Sequence, residues 1–505
     1  MKKLKPFYIT TTLPYVNAIP HMGHAVEFVR ADIIARWKKL CGYEVFFNTG
    51  TDEHGLKIFQ KAQQMGMDTQ AYVDELAQKF KEILPLLGVS ADINFVRTTD
   101  AHHIMAVQEF WKIVDKNGYI YKKNYSVKYC VGCELEKTDS ELSEGKCPLH
   151  PLQEIEIINE ENYFFKFSAF QDKLLDFYKS HSKFVIPDSR FKEITAFVAR
   201  GLEDFSISRL KEKMPWGIAV PGDDTHVMYV WFDALTNYVS VVGWPDDMVN
   251  DTSGKLTKVA GSFKKWCVDS GGMVQYCGKD NLRQQSAMWQ AMLMAAGLPA
   301  SQTVIINGFV TGEGGVKMSK SLGNTVDPLD IVKEYGTDAL RYCVARELSP
   351  FEDSPFTAEK FKESYNANLA NGLGNLVSRV MKMASVNLEG PIETPDIKSS
   401  DTVFSGVDSV IPKEYIEAIE SYNLQQAANV VWQYIADADK IIQETQPFKL
   451  VKTDKVAAQK IIVDLCQRVY NIGYMLNPIM SETAKVIQDL VKENKMPEQP
   501  LFLRK

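Results

Sequence analysis

Two short motifs almost 300 residues apart place the strictest demand on how this chain folds. His21-Met22-Gly23-His24 opens an amphipathic stretch near the amino terminus, and Lys317-Met318-Ser319-Lys320-Ser321 follows a glycine-rich turn far downstream. Imidazoles at a helix start and lysines on a glycine-hinged loop both suit the phosphates of ATP. A nucleotide site that uses both must be assembled from the two ends of a long fold. A given five-residue string arises by chance on the order of once in several thousand chains of this size, so the lysine motif is weighted as a signal.

The helix start offers free backbone N–H groups and the positive end of a dipole, both favourable to phosphate. Gly23 lets a nucleotide come close to the backbone, and His21 and His24 can each donate one hydrogen bond while neutral, toward charge that grows on a phosphate during displacement. Gly312-Glu313-Gly314-Gly315 precedes the lysines and predicts a loop free to adopt unusual backbone angles. Lys320 is expected to stabilise the transition state at the α-phosphate, with Lys317 reaching the β and γ groups; Gly23 and Ser319 complete the expected ATP set.

Around these motifs the pattern is α/β. A β-rich run at 7–12 leads through a loop to apolar positions Val26, Val29, Ile33, Ile34, Trp37 and Leu40, one face of a helix that stops at Gly42. A second strand at 43–48 then reaches Gly50-Thr51-Asp52-Glu53-His54-Gly55. Strand, helix, strand is the opening unit of a Rossmann-type fold, with ligands expected outside the carboxyl ends of its strands. Strand-like patterns return at 227–232, 274–277 and 304–307. Residues 1–117 and 217–325 therefore read as the two halves of one split nucleotide-binding domain, with 118–216 as an insertion. Beyond Ser321 the pattern is mainly helical, with a Pro/Ser/Asp-rich loop at 391–408.

The insertion carries Cys130-x2-Cys133-x13-Cys147-x2-His150. Two facing pairs of soft or borderline ligands, with no spare carboxylate, point to a closed tetrahedral Zn²⁺ that holds a small module together and takes no part in catalysis. Eight cysteines in 505 residues, only three of them clustered, argue against a disulfide framework and for a reduced compartment. The amino terminus has no signal-peptide pattern and no apolar run is long enough to span a bilayer, so a cytoplasmic protein without membrane contact is expected. A net charge of -7 excludes a protein that coats nucleic acid, though not one that meets a nucleic acid through local basic patches.

In chain order, Thr11-Thr12-Leu13-Pro14-Tyr15, His21 to His24, Gly50 to Gly55, Val230-Trp231-Phe232-Asp233-Ala234, Gly278-Lys279-Asp280 and Lys317 to Ser321 resemble the methionyl-tRNA synthetases of class I. The zinc-ligand spacing is similar to that of the bacterial subgroup with one zinc on three cysteines and a histidine. The resemblance implies an aminoacyl-tRNA ligase. It would activate L-methionine with ATP and Mg²⁺ to methionyl-adenylate and pyrophosphate, then transfer methionine to the 3′ end of initiator and elongator methionine tRNAs. It also implies a connecting segment at 326–361 that contacts the tRNA stem, a helical anticodon-binding bundle at 362–505, and a monomer, because no appended domain follows.

Carried over by position, the resemblance implies a methionine pocket of Leu13, Tyr15, Trp231, Ala234 and Tyr238, with Asp52 for the substrate ammonium. Many family members place a histidine five residues after Gly-Lys-Asp; here that residue is Gln285, which can still donate a hydrogen bond. Asn375 and Arg379 match the family's anticodon-reading Asn-x-x-x-Arg, and Phe448 stands where a tryptophan stacks on an anticodon base. A ligase for leucine, isoleucine or valine is a rival reading, but the insertion is short for the editing domain those enzymes usually carry. A non-catalytic tRNA-binding paralogue is a second rival, and it could have lost His21, His24 or Lys320, all present here.

Overall fold

A computed structural model describes residues 4–132, 135–137, 139–250, 256–315, 326–394 and 411–505. Its centre is a six-stranded sheet, parallel throughout. Strand β1 (Pro6–Thr11) is flanked on one side by β2 (Glu44–Thr51) and then β3 (Asn94–Arg97). On its other side lie Met273–Gly278, Thr303–Asn307 and the edge strand Val185–Ile186. The chain runs outward from β1 to β3 and returns on the opposite side, so the strand order reverses between β1 and Met273–Gly278. In open α/β sheets that reversal opens a crevice at the carboxyl ends of the strands.

Sheet strands alternate their side chains between two cores, as a period of two requires. Phe7, Ile9, Val274, Tyr276 and Ile305 face the core that holds helix α1 (Met22–Leu40) and continues into the carboxy-terminal helices. Tyr8, Met273, Cys277, Val304 and Ile306 face the other, built with the helix Ala101–Lys116 and the aromatic residues of the insertion. All six residues of Met273–Gly278 are buried, the signature of a central parallel strand covered on both faces.

The insertion forms a four-stranded antiparallel sheet ordered Leu135–Lys137, Ile120–Cys130, Glu156–Phe165 and Phe205–Ser206. Two details differ from the sequence reading. Val185–Ile186, from within 118–216, joins the edge of the central sheet, so that segment returns to the nucleotide fold before it ends. The run at 227–232 is not one strand: Asp223–Met228 is a strand of a separate antiparallel sheet, and Val230–Leu235 is helical. Short apolar runs do not distinguish buried strand from buried helix by periodicity.

Helix α1 is bolted to segments far downstream in the chain. Buried Arg30 donates to Asn307 Oδ1 at 2.7 Å and to the carbonyls of Val344 and Leu348 at 3.2 and 2.6 Å. Buried Asp32 pairs with Arg341 at 2.7 Å, and Arg341 also donates to the carbonyls of Pro478 and Ile479. The carboxy-terminal helices Asn375–Asn387, Lys413–Glu420, Leu424–Thr445, Lys455–Leu476 and Ser481–Glu493 share one apolar core with α1. The chain end folds back, where Asn366 and Lys505 exchange hydrogen bonds at 2.8 and 2.9 Å.

Candidate active site

The amino terminus of α1 lies at the crevice beyond β1, and its two histidines cap each other. His21 Nδ1 accepts from the Gly23 N–H at 3.1 Å, and His24 Nδ1 accepts from the His21 N–H at 3.3 Å. The rings stack with centroids 3.8 Å apart. Because both Nδ1 atoms accept, each neutral ring carries its proton on Nε2. Burial, and then the charge His21 would carry, hold His24 well below the ordinary histidine range, so it is a neutral donor near pH 7. A Cβ on Gly23 would lie 3.0 Å from His21 Cε1, so any side chain there would press on this ring.

One turn on, the Glu27 carboxyl accepts from Thr12 N at 2.7 Å and Thr12 Oγ1 at 2.5 Å, tying α1 to the end of β1. Burial raises this carboxyl to about 8 against the opposing pull of Thr12.

Across the crevice the loop after β1 lies along the end of β2. Tyr15 and Asp52 form a parallel bridge; Val16 N donates to Asp52 O at 3.1 Å and Asp52 N to Pro14 O at 2.9 Å. Tyr15 and Asp52 are thus brought together by backbone pairing, with Leu13 two residues before Tyr15. The neighbours of Asp52 have other tasks. Glu53 is fully buried and takes a bidentate pair from Arg97 at 2.7 and 2.8 Å, with further hydrogen bonds from Thr51 and Thr99. His54 Nδ1 meets Asp233 Oδ2 at 2.6 Å, and His103 Nε2 meets the other carboxylate oxygen at 2.8 Å.

Asp233 belongs to the short helix Val230–Leu235, which also carries Trp231 and Ala234. Trp231 and Tyr15 pack on the same small cluster of Tyr129, Tyr229 and Val230. Tyr238 is buried, and its hydroxyl accepts from Gln285 Nε2 at 2.8 Å. The structure therefore puts Tyr15 and Trp231 on one cluster and Gln285 on the Tyr238 phenol. Sequence reading missed Asp233, His103 and Glu27, whose partners are up to 179 residues away.

Lys317, Ser319 and Lys320 lie outside the described residues. The root of their loop is described: Gly314 and Gly315 have φ of 70° and 78°, in the left-handed region that favours glycine. Val310–Thr311, which leads into it, pairs with Ser354–Pro355. Asp353 binds Lys279 at 2.6 and 2.7 Å and the Phe309 N–H at 3.0 Å, fixing the Gly-Lys-Asp turn against this root.

In the insertion, Cys130 and Cys147 are buried and converge with His150; their ligand atoms lie within 4.8 Å of one another. Cys130 Sγ and His150 Nδ1 are 3.8 Å apart, near the ~3.6 Å edge of a tetrahedron with zinc–sulfur and zinc–nitrogen bonds of ordinary length. A Cβ on Gly132 would fall 2.5 Å from His150 Cγ, so only glycine fits inside the turn. Cys133 lies outside the described residues. Two thiols and an imidazole gathered this closely fit a thiophilic divalent ion.

In the helical region Asn375 is exposed, and Arg379, four residues on, pairs with Asp439 at 2.8 Å. Asp439 belongs to the helix that precedes Phe448, whose ring is 49% exposed. An accessible ring can stack on a base, and a guanidinium held by a carboxylate can hydrogen-bond to one.

Residues 7–154 and 149–381 match the family tRNA synthetases class I (M). The methionine–tRNA ligase of Thermotoga maritima is 38% identical over 507 residues, spanning 98% of this chain and 76% of the relative. That of a Nostoc species is 39% identical, over 95% of this chain and 88% of the relative. Among solved structures, Mycobacterium tuberculosis methionyl-tRNA synthetase in complex with methionyl-adenylate superposes with a TM-score of 0.86 at 34% identity, covering 98% of this chain and 95% of that one. The apo form of that synthetase gives 0.81 at 30% identity, covering 100% and 99%.

Proposed function

The chain belongs to the class I methionyl-tRNA synthetases, and on that premise we propose how its residues divide the work of joining methionine to tRNA. The reaction has two steps. A methionine carboxylate oxygen attacks the α-phosphorus of ATP, the bond to the bridging oxygen breaks, and pyrophosphate leaves. A ribose hydroxyl of the tRNA's terminal adenosine then attacks the adenylate carbonyl, and AMP leaves.

His21 and His24 act as neutral Nε2–H donors to the phosphate oxygens where charge grows, with Gly23 allowing close approach. The mutual capping of the two rings carries this reading, because it sets both tautomers before substrate arrives. Lys317, Ser319 and Lys320 join the triphosphate, and Mg²⁺ enters with ATP as substrate. Asp52 takes the methionine ammonium, while Leu13, Tyr15, Trp231, Ala234, Tyr238 and Gln285 enclose the side chain; aromatic rings suit a polarizable thioether.

Cys130, Cys133, Cys147 and His150 would hold Zn²⁺, which bound there supplies structural closure of the insertion. Asn375, Arg379 and Phe448 read the anticodon of initiator and elongator methionine tRNAs. The division at 1–117, 118–216, 217–325, 326–361 and 362–505 serves these tasks in order. No described helix is long and apolar enough to cross a membrane, and the described cysteines are buried and not joined in disulfides, which supports a reduced, cytoplasmic setting.

ATP–pyrophosphate exchange across a panel of amino acids tests the reaction, and methionine should drive it best. Exchange driven better by leucine or valine would overturn the assignment. Lys320→Ala should slow adenylate formation by several orders of magnitude with methionine binding nearly intact; an unchanged rate would remove Lys320 from the mechanism.

A further inference from the structure

Behind Gln285 lies a run of buried amides and hydroxyls that the two-step reaction does not use. Gln275 sits in the middle of the fully buried strand Met273–Gly278, paired in register with Thr10 and Val304. Gln275, Gln290 and Ser301 are 1%, 0% and 4% exposed. A polar side chain at such a depth costs stability unless its hydrogen bonds are met, and here they are met in a directed series.

The direction is set by two backbone groups, which cannot reverse. The Ser301 N–H donates to Gln290 Oε1 at 3.0 Å, and Gln290 Nε2 donates to the Gln285 carbonyl at 2.8 Å. These fix which end of the Gln290 amide is which. Gln290 Nε2 also donates to Ser301 Oγ at 3.0 Å, so the serine proton is directed to Gln275 Oε1, 2.7 Å away. With its oxygen so engaged, Gln275 turns Nε2 to Gln285 Oε1 at 2.6 Å, and Gln285 turns its own Nε2 to Tyr238 Oη at 2.8 Å. The Tyr238 hydroxyl is an acceptor toward Gln285, and its own proton is directed elsewhere. Burial keeps this phenol protonated.

We infer that Ser301, Gln290 and Gln275 are positioning residues whose hydrogen-bond relay fixes the Gln285 amide so that the Tyr238 hydroxyl is kept as a donor to an acceptor atom in the substrate side chain. The inference rests on the assignment of Tyr238 and Gln285 to the methionine pocket. If the relay is cut, Gln285 is free to flip and present Oε1 to Tyr238. The phenol proton then goes to the glutamine and is lost to the ligand. A thioether sulfur is a weak acceptor, whereas the methylene that replaces it in norleucine accepts nothing. The relay therefore acts on methionine and not on its isostere.

The experiment compares methionine with norleucine in ATP–pyrophosphate exchange. Ser301→Ala should lower kcat/KM for methionine about fivefold, mainly through KM, with norleucine nearly unchanged. Gln275→Leu should shift the methionine-to-norleucine ratio by the same factor and add little in the Ser301→Ala background. Ser301→Thr, which keeps the hydroxyl, should restore the ratio. Equal losses for both amino acids, or an unchanged ratio in both single variants, would overturn the relay. Tyr238→Phe separates the relay from the pocket it serves. A loss of methionine preference in Tyr238→Phe with none in Ser301→Ala refutes the relay alone, and no loss in Tyr238→Phe refutes the pocket assignment beneath it.

Discussion

Replacing Asp233 with alanine should both destabilise the protein and weaken methionine binding, although no role in contacting substrate is assigned to this side chain. Its carboxylate is fully buried between His54 at 2.6 Å and His103 at 2.8 Å, and His103 is backed by Ser240 Oγ at 2.9 Å. A hydrogen bond to a charged acceptor is worth about 1.5–3 kcal/mol, and a buried imidazole N–H left unpaired costs about 1–3 kcal/mol. Relief of the carboxylate's own desolvation offsets part of the loss. The net expectation is a loss of about 3 kcal/mol for Asp233→Ala, and about half that for Asp233→Asn, whose amide keeps one partner through a change of histidine tautomer.

The functional arm follows from position. Asp233 lies between Trp231 and Ala234 on one strip of chain, and His54 is two residues from Asp52. The bridge therefore joins the expected ammonium site to the expected side-chain pocket, and a shift of about 1 Å in either costs up to 10²-fold. The KM for methionine should rise at least about tenfold, with the KM for ATP changing much less. Urea unfolding read by tryptophan fluorescence, with exchange kinetics on the same samples, measures both.

The pH dependence has a defined sign. Burial opposes ionisation of the Asp233 carboxyl, but His54 and His103 outweigh it and hold the group below its usual range. Its contribution to stability is present above the unfolded value near pH 4 and is lost as pH falls through the depressed folded value. The carboxylate's share of the difference between wild type and Asp233→Asn should be flat above about pH 5 and shrink below pH 4. Wild-type stability with an unchanged methionine KM in Asp233→Ala would refute the reasoning, as would a stability difference that widens in acid.

Two further outcomes are expected. Metal analysis of the wild-type chain should find one zinc, and Cys147→Ser should bind less and loosen the insertion, as limited proteolysis would show; full occupancy in the variant would remove Cys147 from the ligand set. Arg341→Leu strands buried Asp32 with Arg36 and Ser90 and leaves the Pro478 and Ile479 carbonyls unpaired, so it should lower stability by about 3–5 kcal/mol in chemical denaturation.

Much of this site was legible because its residues announce themselves locally. A helix start with His-x-Gly-His, a glycine pair before two lysines, and facing Cys/His pairs each state a chemistry within a few positions. The structure gathers Cys130, Cys147 and His150 and stacks His21 on His24. Strand patterns around 7–12, 43–48, 274–277 and 304–307 were readable because buried parallel strands are short apolar runs between turn signals. Helical 230–235 was not, since the same apolar run serves either conformation and packing decides between them.

The sequence by itself determined the family and the reaction, because those follow from motifs of fixed residue type in a fixed order, and the resemblance supplied the expected pocket residues. Only the tertiary structure decided what holds them. It put Asp233 between two histidines from distant segments, turned Glu53 away to Arg97, and returned Val185–Ile186 to the central sheet. It also supplied what the glutamine at 285 lacked in the sequence, a fixed orientation. An amide has two ends of similar size and opposite hydrogen-bonding sense, and only its buried neighbours can say which end faces the tyrosine.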